Sequence, residues 1–203
     1  MNKHTLARAT IGLTLGSTLL LAGCADTGDS SDMEGHDMGD NASQGAPDAA
    51  ADTANGADVM FAQMMIPHHE QALVMSRIVL DKEGVDPAVV DLATRIEGAQ
   101  GPEIERMTGL LEEWGAGSTG DHSGHAMDGM LTDEEIQALE DADAAAVPQL
   151  FLEGMIAHHQ GAVDMAEAEL ADGENPEARE LAQAIVDAQE AEIAEMQELL
   201  AGL

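Results

Sequence analysis

Four stretches of the chain place apolar side chains at the three–four spacing of one helical face. The first stripe runs Phe61, Met65, His68, Ala72, Met75, Val79, and the second runs Leu92, Ile96, Gln100, Glu103, Met107, Leu110. The other two are copies of these. Segment 149–166 repeats 59–76 with seven of 18 positions identical, and 181–200 repeats 92–111 with ten of 20 identical. The pattern therefore predicts two copies of a helical hairpin, at 57–114 and 148–203. Neither hairpin can bury its stripe alone, so the two are expected to pack as an all-α four-helix bundle over 57–203.

Local signals refine the elements. Pro87 and Pro176 stand near the starts of the second and fourth helices, where proline is tolerated. Pro67 and Gly101-Pro102 fall inside helical patterns and are expected to kink them. The linker 115–147 holds a capping-box start, Thr132 to Glu135, for one short helix. Its Gly-rich part, 115–131, reads as a mobile crossover.

Upstream of the bundle the pattern changes twice. Residues 25 to about 56 are Asp, Gly, Ser, Ala and Asn with little that is apolar, a composition expected to stay disordered. Before them, Lys3 and Arg8 form a positive start and Ile11 to Leu21 a short apolar run, too short to span a bilayer as a helix. Leu21-Ala22-Gly23-Cys24 follows and resembles the lipobox of bacterial lipoproteins. The resemblance implies a signal peptide at 1–23, cleavage before Cys24, and a lipid on the Cys24 sulfur. The region 24–56 then becomes an acidic tether to a membrane outside the cytoplasm. Cys24 is the only cysteine, so the chain has neither a disulfide nor a thiolate metal site.

Composition narrows the partners. Seven Lys and Arg stand against 40 Asp and Glu, for a formal net charge of −33. Nucleic acid needs a basic patch, which this chain lacks. Phosphorylated substrates are disfavoured for the same reason. Aromatics are only 1% of residues, so Ala, Leu, Ile, Val and Met must fill the core. The chain nevertheless carries 13 Met and 8 His, and these are the lead to function.

The histidines and methionines fall in a repeated pattern, Met-x-x-His-His-x5-Met. In the first copy it is Met65, His68, His69 and Met75; in the second, Met155, His158, His159 and Met165. Offsets of three, four and seven share a helix face, so each odd helix is expected to aim a thioether–imidazole group at the bundle interior. On the even helices, Gln100 and Glu103, and Gln189 and Glu192, interrupt apolar stripes. A carboxylate there needs a partner, and an imidazole N–H on the facing helix would supply one, orienting a ligating histidine. Met107 and Met196 follow one turn on. A methionine at helical spacing ordinarily fills core, but duplication alone does not account for a buried polar cluster in both copies.

Ligand softness points to the metal. Thioether with imidazole suits Cu(I), with Cu(II) possible and Ag(I) as an analogue. A di-iron bundle would need Glu-x-x-His on two helices, whereas none of the histidines has Glu three residues before it. Met33, His36 and Met38 in the tether, and His122, His125, Met127 and Met130 in the crossover, have no core to fill. They read as flexible arms that capture the ion. No nucleophile–base arrangement is visible, and no organic cofactor is expected.

The two copies of MI-x-HH-x2-A-x2-M, each followed by Q-x2-EI-x2-M, resemble domain-of-unknown-function family 305 over 57–203. That family groups with ferritin-like four-helix bundles and includes CopM-type copper-binding proteins. The resemblance implies a ferritin-like bundle that handles copper outside the cytoplasm. It puts the ligands at His68, His69, Met65, Met75, His158, His159, Met155 and Met165. Gly101-Pro102 departs from the family pattern. The expected function is copper sequestration, or transfer to a delivery partner. The alternatives are a metal-dependent oxidoreductase with a His/Glu site and a structural lipoprotein that binds no metal.

Overall fold

The computed structural model describes residues 53–117 and 127–203. Five helices account for nearly all of them: α1 Gly56–Asp81, α2 Pro87–Glu113, α3 Asp133–Asp141, α4 Val147–Asp172 and α5 Pro176–Ala201. The long four make an antiparallel bundle, and the fold is all-α.

Helix starts are set by side chains that satisfy free backbone N–H groups. Asn55 caps α1 and shares a capping box with Asp58, whose Oδ2 accepts from the Asn55 N–H at 2.6 Å. Asp86 and Asn175 cap α2 and α5, each with proline as the first helical residue. Thr132 and Glu135 form the box that opens α3. The helix α4 has no side-chain cap and relies on Pro148 in its first turn. Pro67 and Pro102 lie within α1 and α2, and both helices run on through them. Each proline removes one backbone bond without ending its helix.

The core divides into two apolar clusters. One joins the second half of α1 (Ala72, Met75, Val79), the first half of α2 (Val89, Leu92, Ile96), the start of α4 (Val147, Phe151, Leu152, Met155) and Met196 near the end of α5. Leu139 of α3 seals this end. The other joins the opposite halves: Phe61, Met65, Met107, Leu111, Ala162, Ala166, Leu181 and Ile185. Full burial of the Val, Leu, Ile, Phe and Met side chains among them is worth about 1.5–3 kcal/mol each. Between the clusters, at mid-height on every long helix, the stripe turns polar. His68 and His69, Gln100, His158 and His159, and Gln189 are all buried there. The fold thus sandwiches a layer of four imidazoles and two amides between two greasy halves.

The second hairpin is tied to the first at one end by Asp58. Its Oδ1 accepts from the backbone N–H groups of Glu174 at 3.1 Å and Asn175 at 2.8 Å, in the turn between α4 and α5.

The segment Met127–Leu131 is not the free crossover that its composition implies. Gln71 clamps Leu131 twice: its Oε1 accepts from Leu131 N–H at 2.8 Å and its Nε2 donates to Leu131 O at 2.9 Å. Gly129 has φ +84°, and a Cβ there would overlap the carbonyl oxygen of Ala157 on α4. A Cβ on Gly161 would likewise overlap the Asp128 carbonyl. Two glycines, one on each side, let this strand of chain lie directly on α4.

Candidate metal centre

The layer starts from hydrogen bonds that fix the rings. His69 Nε2 lies 2.8 Å from Glu103 Oε2, and His159 Nε2 lies 2.8 Å from Glu192 Oε2. The carboxylate can only accept, so Nε2–H donates in both rings. In a neutral imidazole the lone pair then belongs to Nδ1. His68 Nε2 makes a long 3.4 Å contact with the carbonyl oxygen of Asp128, which again accepts. In the neutral form, three of the four rings therefore present the lone pair on the same atom.

Those Nδ1 atoms are buried and meet no protein partner, and both nitrogens of His158 are in the same condition. The rings of His68 and His158 lie with centroids 3.8 Å apart, tilted by 41°. Burial is the main force on both. With neighbouring imidazoles adding to it, burial pushes His68 down to about 4 and His158 down to about 2. Near neutral pH both rings are uncharged and keep a lone pair. Gln100 and Gln189 leave both amide atoms unpartnered in the same layer. Buried polar atoms without partners are costly, and imidazole lone pairs suit an ion such as copper. Among the described residues no three His, Cys, Asp or Glu side chains group so as to hold an ion. A site here would draw on imidazole pairs and the thioethers beside them.

Met65 and Met107 lie in one apolar cluster, and Met75, Met155 and Met196 in the other, all fully buried. They bound the imidazole layer above and below. Met165 packs against the edge of the cluster that holds Met65 without being fully buried. It is half-buried and lines an open cavity between α1 and α4. Met127 lines the same cavity, held there by the clamped segment, and so is not on a free arm. Met130 is half-buried on that segment, beside α3. Cys24, Met33, His36, Met38, His122 and His125 lie outside the described residues.

The family model described as "Domain of unknown function (DUF305)" matches residues 58–200. The chain belongs to the DUF305 family. Solved structures of DUF305 proteins agree with the fold. A fragment from Deinococcus radiodurans is 32% identical with a TM-score of 0.67, over 74% of this chain and 99% of its own. A protein from Streptomyces coelicolor is 35% identical with a TM-score of 0.68, over 75% and 95%. CopM in its Cu(I)-bound form is 31% identical with a TM-score of 0.61, over 71% and 96%. CopM has also been solved with Cu(II) and with Ag bound. No protein of curated function matches the chain.

Two side chains of this DUF305 protein near the layer escaped sequence reasoning. Met60 and Met64, one turn apart on α1, line the cavity with Met127 and Met165. The repeat carried the signal: their counterparts in the second copy are Leu150 and Gly154, so duplication does not explain them. A third feature, the buried pair Asp58 and Glu169, was equally unannounced. Burial first, and then the Asp58 carboxylate, raise Glu169 to about 8.

Proposed function

We propose that this DUF305 protein binds copper outside the cytoplasm and sequesters it or passes it on. The observation that carries the reading is the mid-bundle layer, with its four buried imidazoles, the central pair His68 and His158 uncharged, and unpartnered Nδ1 atoms flanked by Met65 and Met155. Similarity to a protein solved with Cu(I), Cu(II) and Ag bound supports the choice of ion. Thioether ligands favour Cu(I) over Cu(II). The ligands are His68, His69, His158 and His159 with Met65, Met75, Met155, Met107 and Met196. Glu103 and Glu192 orient two of the rings, and Gln100 and Gln189 line the layer.

The lipobox-like run ending at Cys24 would anchor the mature chain to a membrane, and the Met and His of residues 33–38 and 122–125 would capture ions for the bundle. Among the described residues no helix is long and apolar enough to cross a membrane. The binding role needs no catalytic step.

Titration with Cu(I) under reducing conditions and with Cu(II) under oxidising ones, each read for stoichiometry, tests the reading. Saturable Cu(I) binding that is tighter than Cu(II) binding is expected. Absence of binding by either ion would overturn it.

A further inference from the structure

We infer that the open cavity between α1 and α4 is a second, thioether-built site for a soft monovalent ion, distinct from the imidazole layer. The cavity measures about 410 Å³ and gathers Met60, Met64, Met127 and Met165. These side chains come from three separate parts of the chain, and thioethers prefer Cu(I) or Ag(I) over harder cations. The choice of copper as the natural ion rests on the reading above; the site itself rests on the cavity.

Core filling does not account for these residues. Met60 is 52% exposed, and Met64, Met127 and Met165 are half-buried. Only Met165 packs against an apolar cluster. Internal symmetry makes the same point. On the far side of the bundle the counterpart of Met165 is Met75, fully buried, with its Cε 3.3 Å from where a Cβ on Gly154 would stand. Gly154 gives Met75 the room to turn inward. The position matching Gly154 is Met64, so the second copy of this packing has a long side chain where the first has none, and Met64 and Met165 both line the cavity. One copy of the repeat thus buries its methionine, and the other places two at an open surface.

The cavity is also built rather than incidental. Met127 is delivered by the segment that Gln71 clamps and that Gly129 and Gly161 let settle on α4. Asp128 and Asp164 line it as well, and they favour a cation over a neutral occupant. The carbonyl of Asp128 touches His68, so this wall is shared with the imidazole layer. That places the cavity at the solvent side of the layer, where an incoming ion would first meet sulfur.

The test follows the methionine ε-methyl NMR signals of the full chain, labelled with methyl-13C methionine, during Ag(I) titration. Assignments come from Met→Leu variants. Cu(I) competition titrations are run in parallel on the triple variant Met60→Leu/Met64→Leu/Met127→Leu and on His68→Ala/His158→Ala. Leu conserves volume, and a thermal melt confirms that each variant folds. The expected result is that the four cavity methyls shift together within one equivalent. The triple variant should lose that equivalent or bind it at least about tenfold more weakly, while the histidine variant keeps it and loses only the equivalent held by the layer. Unmoved cavity methyls, or a triple variant that binds as wild type, would overturn the cavity site and leave the imidazole layer standing. Loss in the triple variant alone, with the histidine variant unchanged, would support the cavity and remove the layer as a binding site.

Discussion

Nε2 of His69 faces Oε2 of Glu103 at 2.8 Å across the first hairpin, with the imidazole fully buried and the carboxylate one-fifth exposed. The contact fixes the ring's orientation and keeps Nδ1 turned away from the carboxylate. His159 and Glu192 repeat it at the same distance. Replacing Glu103 with Ala leaves His69 in place but frees its orientation. Such orienting partners are worth about 10- to 100-fold in metal affinity. Glu103→Ala is therefore expected to weaken Cu(I) binding by about that range without changing stoichiometry, as read by competition with a Cu(I) chelator. An unchanged affinity would mean that His69 does not bind the ion.

The central pair makes a stronger demand. His68 and His158 lie ring against ring, uncharged and short of partners. Changing both to Ala removes two imidazoles from the layer at once. We expect Cu(I) affinity to fall at least about tenfold, or 1.4 kcal/mol. The apo fold should survive, because the variant also removes unpartnered nitrogens whose burial opposes stability. Binding equal to wild type in both the single and the double variants would dismiss the layer as a copper site.

These contacts show how far the sequence alone could go. The helix stripes and the repeated hairpin were legible because apolar spacing is set locally, by the 3.6-residue turn. The facing of Glu103 to His69 was legible as a break in a stripe that had to be matched across the hairpin. The place of Met165 was not. Its sequence setting copies that of Met75, but the facing helix holds Met64 where the other copy has Gly154, and Met165 is left half-buried beside an open cavity. Likewise the Gly-rich composition of 115–131 reads as loose chain, while Gly129 and Gly161 are there to permit close approach of two backbones. A glycine that loosens a chain and one that admits a neighbour look alike until the neighbour is known.

That close approach can be tested directly. A Cβ at Gly161 would overlap the carbonyl oxygen and carbon of Asp128, which are backbone and cannot swing aside. Gly161→Ala should lift Met127–Leu131 off α4 and destabilise the protein by about 1–3 kcal/mol, the usual range for overpacking. Hydrogen exchange at the Leu131 amide, now bonded to Gln71, should quicken. Gly154→Ala is the control. The new methyl there meets only side-chain ends, of Leu131 and Met75, so its effect should be smaller. Equal effects, or unchanged exchange at Leu131, would count against the clamped segment.

The pair Asp58 and Glu169 gives the metal-free protein a dependence on pH of definite sign. Burial would raise Asp58 on its own, but the backbone N–H groups of Asn55, Asn175 and Glu174, with help from Glu169, hold it below the usual carboxylate range. Glu169 is nearly as buried, and neither of its oxygens meets a donor. Protonated, it can donate to Asp58; ionised, it would face a second carboxylate. Its value of about 8, against 4.5 for an ordinary glutamate, means that between those limits the unfolded chain releases a proton that the folded chain keeps. Stability therefore falls as pH rises through this window and levels off above it, with a slope of at most about 1.4 kcal/mol per pH unit. The buried His68 and His158 act with the opposite sign, but only below about 6.5, where the unfolded rings take up protons and the folded ones do not. Denaturant unfolding from pH 6.5 to 8.5 in the presence of a chelator isolates the glutamate. Wild type should lose stability across that range, and Glu169→Gln should stay level and be the more stable of the two at pH 8. A wild type that is level, or a variant that keeps the slope, would show that the proton is not held at Glu169.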